Sequence, residues 1–187
     1  MAAQGTFDLG GPAPSQDRLF TCIKPDADAL AAITTLLAQT PGFGGAKPRN
    51  ADTLHLSLAD LGPFSEAAAK SAIDRLQTVA VAPFDVCLDR RLSFPKPGGS
   101  PLVLLAAAPN PGLDRLYTAH RVALADIPGV KRPARLRTPH LTLLYARQKL
   151  PETPIPPIVW TVRQFSLVQS HYGEDEHTEF GPWPLSA

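Results

Sequence analysis

Two short segments of the chain share one pattern: a histidine, an apolar residue, a hydroxyl residue and a second apolar residue. The first copy begins at His55 and the second at His140. Because side chains alternate between the two faces of a β-strand, each copy would present its imidazole and its hydroxyl (Ser57 or Thr142) on one face and its two leucines on the other. An imidazole with a pKa of about 6.5 can act as an acid or a base at neutral pH. Two such strands facing each other would form a pocket that suits a phosphate group.

The elements that would position these residues follow an irregular order of strands and helices. The predicted strands cover residues 19–23, 53–59, 84–94, 102–107, 141–146, 159–170 and, at the end of the chain, 179–185. The predicted helices begin at Pro25, at a cap provided by Ser65, and at about Gly112. This order does not alternate strictly between strand and helix, so it argues against a doubly wound parallel sheet and predicts the α+β class.

Composition and charge limit the classes of protein that the chain can belong to. Its 187 residues suit a single domain over residues 18–187, preceded by a mobile tail over residues 1–17 that is rich in glycine, proline and alanine. A formal net charge of +1 argues against a protein that coats nucleic acid through charge alone. The sequence shows no signal peptide and no apolar run of membrane-spanning length, so we expect a cytoplasmic protein without a membrane partner. Nothing in the sequence requires an assembly larger than a monomer.

The paired motifs resemble the paired HxT/S motifs of the 2H phosphoesterase superfamily. Within it, the chain most resembles the bacterial LigT-like RNA 2′,3′-cyclic phosphodiesterases, also called 2′-5′ RNA ligases. Residues 18–25, residues 58–62 and the dipeptide Phe94-Pro95 also resemble segments of that family, and the similarity extends over residues 18–170. The resemblance implies two pseudo-symmetric α+β lobes with antiparallel sheets around a central cleft.

The resemblance also implies an activity, which is the hydrolysis of 2′,3′-cyclic phosphates at RNA ends or on nucleotides to 2′-phosphates. It assigns His55 as the acid that protonates the leaving oxygen and His140 as the base that activates water, while Ser57 and Thr142 bind the phosphate. Reversible 2′-5′ ligation of RNA is a further activity of the family. The sequence predicts no metal site and no cofactor. Two alternatives stay open: a phosphodiesterase for a small cyclic nucleotide, such as ADP-ribose 1″,2″-cyclic phosphate or a 2′-5′ oligonucleotide, and a module that binds a nucleotide or an RNA end without turnover.

One residue departs from the family's pattern. Tyr145 stands where many LigT-like proteins have an arginine. Arg137 or Arg147 would then supply the missing positive charge to the phosphate, or the substrate preference would differ.

Further residues are candidates for contacts with the rest of the substrate. Lys47 and Arg49 precede the first motif and a basic stretch over residues 131–137 precedes the second, so these side chains either hold backbone phosphates at the rim of the cleft or belong to solvated loops. Tyr145 and Phe94 are candidates to stack on a terminal base, and core packing is the alternative for Phe94.

The remaining histidines are not predicted to belong to the site. His120 falls on the apolar face of the third predicted helix, where a packed and hydrogen-bonded imidazole is expected. His171 and His177 flank an acidic stretch over residues 174–176. Their spacing fits no compact ligand motif, so we expect a solvated charged turn rather than a metal site.

Overall fold

The structure of the protein is a computed structural model, which describes residues 16–39, 49–94, 100–106, 109–130, 138–146 and 149–186. Within these residues the helices are α1 (Ala27–Gln39), α2 (Glu66–Leu76) and α3 (Pro111–Ala123), with a short 3₁₀ turn over Ala51–Thr53. The strands are β1 (Arg18–Ile23), β2 (Leu56–Pro63), β3 (Phe84–Ser93), β4 (Ser100–Ala106), β5 (His140–Ala146), β6 (Thr153–Val162), β7 (Gln164–Ser170) and β8 (His177–Pro184).

The strands form one sheet in the order β6-β3-β4-β5-β2-β1-β7-β8, in which all neighbours are antiparallel. The sheet consists of two four-stranded halves, and these meet at β5 and β2 through the registered pair Leu56 and Leu141. The predicted α+β class with antiparallel pairing is therefore confirmed. The two motif strands are neighbours at the centre of the sheet, one from each half.

The leucines of the two motifs anchor these central strands. Leu56, Leu58, Leu141 and Leu143 are buried and belong to one hydrophobic core. The predicted alternation of faces is thus confirmed, because the residues between the leucines point away from that core. Helix α3 packs against β2, and the hydroxyl of Tyr117 donates a hydrogen bond of 3.2 Å to the carbonyl oxygen of Ser57. The backbone of the first motif is therefore fixed by both the core and a helix.

Two predicted strands have different bounds in the structure. The first motif strand begins at Leu56, because the 3₁₀ turn precedes it, and His55 lies just before the strand. The predicted long strand over residues 159–170 is two strands, since Val162 pairs with Phe84 in one half of the sheet whereas Gln164 pairs with Pro184 in the other. The sequence of residues 159–170 is typical of one strand, because the chain crosses between the halves at a single residue, Arg163.

Strand β6 contains three prolines, at positions 154, 156 and 157. Strand β6 is at the edge of the sheet and pairs only with β3 in the described chain. A proline nitrogen cannot donate to a neighbouring strand, so an edge strand is where prolines are tolerated.

Asp17, the last residue of the predicted tail, is hydrogen-bonded to the folded domain. Residues 1–15 of the predicted tail lie outside the described residues. Asp17, in contrast, accepts hydrogen bonds from Gln169 Nε2 at 2.7 Å and from the backbone nitrogen of Tyr172 at 3.0 Å. None of the helices in the described ranges is long and apolar enough to cross a membrane.

His120 lies in the core, as predicted. It is fully buried on α3, its Nδ1 atom lies 2.9 Å from the carbonyl oxygen of Leu116, and its ring contacts Phe165 edge-on with 4.6 Å between centroids. Its Nε2 atom is buried without a hydrogen-bond partner among the described residues. Burial disfavours the charged ring and lowers the pKa of His120 to about 4.

We expect this buried ring to make the free energy of unfolding depend on pH between about pH 6.5 and pH 4. The pKa of His120 is lower in the folded than in the unfolded chain, so the unfolded chain binds more protons below about pH 6.5 and stability falls as the pH falls. One such histidine contributes at most about 1.4 kcal/mol per pH unit to the free energy of unfolding. Urea unfolding of wild type and His120→Leu at several pH values tests this: the slope should be smaller in the variant, and an unchanged slope would contradict it.

Candidate active site

A cleft of about 390 Å³ lies where the two motif strands meet. It is lined by Arg18, Phe20, Arg49, Thr53, His55, Ser57, Asp60, His140, Thr142, Tyr145, Ser170 and His177. Both histidines and both hydroxyl residues of the two motifs are thus brought to one cavity. If the antiparallel register at Leu56 and Leu141 is continued by one residue, Ser57 lies across from His140 and His55 lies across from Thr142.

The two motif histidines are oriented by the same hydrogen bond. The Nδ1 atom of His55 lies 2.7 Å from the carbonyl oxygen of Thr53, and the Nδ1 atom of His140 lies 2.9 Å from the carbonyl oxygen of Thr138. A carbonyl oxygen only accepts, so in each ring Nδ1 carries the proton and donates it. Nε2 is then the atom in each ring that can exchange a proton with a substrate.

A phenylalanine ring lies against each motif histidine. Phe20 of β1 is stacked on His55 with 4.8 Å between ring centroids, and Phe94 meets His140 edge-on at 5.0 Å. Phe94 is only half-buried, and its contact is with a site residue rather than with the main core. Sequence reasoning missed Phe20, although Arg18 and Phe20 alternate with the buried Leu19 and so share the face that lines the cleft.

The surroundings of His55 disfavour its charged form. Burial is the largest cause, the positive charges of Arg49, Lys24 and a protonated His177 act in the same direction, and the hydrogen bond to Thr53 opposes them. Together they lower the pKa of His55 to about 4. The ring is therefore neutral at pH 7 in the free protein, and an anion bound in the cleft would raise its pKa.

His177 of β8 also lines the cleft, which the sequence analysis did not predict. Its ring lies 5.4 Å from that of His55 and 5.6 Å from that of Phe20, measured between centroids. The prediction of a solvated charged turn is wrong for this residue, because β8 begins at His177 and not two residues later. Strand pairing carries it to the site: Arg18, Ser170 and His177 lie in one row across β1, β7 and β8.

The prediction of a solvated turn is wrong for Asp175 as well. One of its carboxylate oxygens accepts from Arg49 Nη2 at 3.1 Å and from Thr53 Oγ1 at 3.2 Å, and the other accepts from the backbone nitrogen of Asn50 at 2.8 Å. Asp175 therefore ties the segment that carries His55 to the turn before His177. The same segment is tied to the second motif, since the backbone nitrogen of Arg49 donates to the carbonyl oxygen of Leu143 at 2.8 Å.

The other predicted binding residues have different outcomes. Arg49 and Tyr145 line the cleft, and Tyr145 is 47% exposed. Lys47, Arg137 and Arg147 lie outside the described residues, as does the rest of the basic stretch over residues 131–137. Arg18 lines the cleft with its ion-pair partner Asp60, and neither residue was among the predicted site residues.

Comparison with known proteins assigns the chain to a family. A family model described as the 2′-5′ RNA ligase superfamily matches residues 25–174. The chain belongs to this superfamily. Among its relatives, a Thermus thermophilus protein named RNA 2′,3′-cyclic phosphodiesterase is 32% identical, with 82% of this chain and 81% of the relative covered. An Archaeoglobus fulgidus protein of the same name is 26% identical, with 87% and 88% covered.

Solved structures of the same kind match this 2′-5′ RNA ligase superfamily member over almost its whole length. Escherichia coli LigT in its apo form has a TM-score of 0.73 and 26% identity, covering 91% of this chain and 98% of LigT. LigT in complex with 3′-AMP has a TM-score of 0.74 and 26% identity, covering 94% of this chain and 100% of LigT. The fold implied by the resemblance is therefore the fold of the whole domain and not of one half of it.

Proposed function

We propose that this protein is a cyclic phosphodiesterase that hydrolyses 2′,3′-cyclic phosphates, at RNA ends or on nucleotides, to 2′-phosphates. The observation that carries the proposal is the pair of histidines in one cleft, each with its Nδ1–H bound to a backbone carbonyl. Two supports come from the relatives: two of them are named RNA 2′,3′-cyclic phosphodiesterase, and LigT has been solved with 3′-AMP and with phosphate.

In the proposed reaction the two histidines act on opposite sides of the phosphorus. Nε2 of His140 accepts a proton from water as the water oxygen bonds to phosphorus, and Nε2 of His55 donates a proton to the ribose 3′ oxygen as its bond to phosphorus breaks. Because His55 is neutral in the free protein, its acid role requires that the ring take up a proton when the anionic phosphate enters. An imidazolium whose intrinsic pKa is low also gives up its proton readily, which suits an acid.

The proposal is tested with 2′,3′-cyclic AMP and with a short RNA that ends in a 2′,3′-cyclic phosphate, both in the presence of EDTA. Phosphorus NMR should show a 2′-phosphate as the product. A 3′-phosphate would reverse the proposed choice of leaving oxygen. Binding of the nucleotide without turnover of either substrate would refute the enzyme proposal and favour a binding module.

Ser57 and Thr142 are proposed to bind the non-bridging oxygens of the phosphate. Both lie on the cleft face between buried leucines, where a hydroxyl donates to the oxygens that gain negative charge in the transition state. We expect Thr142→Val, which keeps the shape of the side chain, and Ser57→Ala each to lower kcat/KM by about 10- to 150-fold, since a hydrogen bond to a charged group is worth about 1.5–3 kcal/mol. Steady-state kinetics with 2′,3′-cyclic AMP measures this; Thr118→Val, on an exposed part of α3, is the control. Unchanged kinetics in both cleft variants would remove the hydroxyls from the proposal.

The domain bounds, the oligomeric state and the compartment of the enzyme are also proposed. We propose one bilobal domain over residues 18–187 that acts as a monomer in the cytoplasm. Sedimentation equilibrium, with and without 3′-AMP, tests the oligomeric state.

A further inference from the structure

We propose that His177 is a substrate-binding residue, a neutral imidazole whose Nε2–H donates a hydrogen bond to a non-bridging oxygen of the substrate phosphate. Its ring lines the cleft and meets His55 at 62° with 5.4 Å between centroids. The inference rests on the proposed function only in that the ligand is taken to be a phosphate.

The position of the ring proton follows from the surroundings of the two nitrogens. Nδ1 of His177 is buried and has no hydrogen-bond partner among the described residues. A neutral imidazole carries a single N–H, and placing it on Nδ1 would leave a buried donor without an acceptor. The proton therefore belongs on Nε2, which makes that atom a donor.

Burial, more than any charged neighbour, keeps the ring of His177 neutral. Lys24 and Arg49 oppose a positive charge on the ring, as does His171, while Asp175 favours one; with burial as the largest cause, they lower the pKa of His177 to about 4. Asp175 is shared with Arg49, and Glu179, two residues along β8, is held by Lys24 and Ser166. His177 can thus donate to a phosphate at pH 7 without first being protonated.

The neighbouring rings have opposite tautomers, and this gives the pair two different tasks. His55 carries its proton on Nδ1, so its Nε2 takes up and releases the catalytic proton, whereas the Nε2 of His177 already holds a proton. A charge on either ring disfavours a charge on the other. His177 therefore binds the phosphate while neutral and leaves the single positive charge to His55.

Two variants separate the hydrogen bond from the packing of the ring. His177→Phe keeps an aromatic ring beside His55 and Phe20 but removes the N–H, whereas His177→Gln keeps an N–H donor. We expect His177→Phe to weaken the binding of inorganic phosphate and to lower kcat/KM for 2′,3′-cyclic AMP, each by about 10- to 50-fold. We expect both quantities for His177→Gln to stay within about fivefold of wild type. The control is His171→Gln, which replaces a nearby histidine bound to Asp17 and Thr178 and should have the same values as wild type.

Phosphate binding separates this inference from the proposed function. If wild type binds phosphate through His177 but does not hydrolyse the cyclic nucleotide, the inference stands and the proposed function fails. If wild type is an active hydrolase and His177→Phe binds phosphate as tightly as wild type does, the inference fails and the proposed function stands. Equal losses in the Phe and Gln variants would also overturn the inference, because they would show a packing role.

A measurement on the wild-type protein tests the position of the ring proton of His177 even where a variant fails to fold. Long-range ¹H–¹⁵N correlation spectra of histidine-labelled protein distinguish the two neutral tautomers. We expect the Nε2–H tautomer for His177 and the Nδ1–H tautomer for His55 at pH 7. An Nδ1–H tautomer for His177, or a charged ring at that pH, would overturn the proposal.

Discussion

Replacement of His140 by glutamine should lower kcat for 2′,3′-cyclic AMP by about 10²- to 10⁴-fold, because acid–base catalysis by one side chain contributes a factor of that size. The same loss is expected for His55→Gln. Leu56 and Leu141, which follow the replaced residues, stay in the core, so the backbone of each motif should be preserved. Phosphate binding should therefore change much less than kcat.

The dependence of kcat/KM on pH assigns the two roles. The wild type should show a bell-shaped profile, since one group must be unprotonated and the other protonated. The residual activity of His140→Gln should lose the acidic limb, which reports the base, and that of His55→Gln should lose the alkaline limb, which reports the acid. An exchange of the two limbs would reverse the roles, and more than a tenth of wild-type activity in either variant would contradict the two-histidine mechanism. His171→Gln is the matched control, because this histidine does not line the cleft.

The central part of the site could be predicted because it depends on a local pattern. Alternation along a strand assigns the leucines of each motif to the core and the residues between them to the cleft, and the structure has both sets in those places. The occurrence of the same pattern at His55 and at His140 further indicates that the two strands contribute to one site. Neither inference requires knowledge of which strands are neighbours.

The rest of the site could not be predicted, because it is assembled by pairing between distant parts of the chain. Asp175 accepts from Asn50 and Thr53, and nothing in the local sequence of an acidic turn distinguishes such a carboxylate from a solvated one. His177 reaches the cleft through the register of three strands, β1, β7 and β8. Only Arg163 separates β6 from β7, so the sequence predicts one strand over residues 159–170. A single strand gives no sign that its second part, residues 164–170, pairs with β8.

The carboxylate of Asp175 connects the two sides of the site, so its removal should affect both stability and catalysis. In Asp175→Ala the backbone nitrogen of Asn50 and the guanidinium of Arg49 lose their acceptor, and Thr53 keeps only its bond to the carbonyl oxygen of Asn50. Loss of such partners in a partly buried network costs about 1–3 kcal/mol in the free energy of unfolding. Urea unfolding at pH 7 measures this cost.

The catalytic effect of Asp175→Ala follows from the position of Thr53, whose carbonyl oxygen orients the ring of His55. A displacement of a catalytic group by about 1 Å can lower the rate by about 100-fold, so we expect a loss in kcat of up to that size with a smaller change in KM. Asp175→Asn keeps the size of the side chain and one acceptor oxygen but not the charge that pairs with Arg49, and should fall between alanine and wild type. Glu174→Gln and Glu176→Gln remove a charge from exposed neighbours in the same turn and serve as matched controls. If these controls lost as much activity as Asp175→Ala, the acidic turn would act through its net charge, and the positioning of His55 through Asp175 would be wrong.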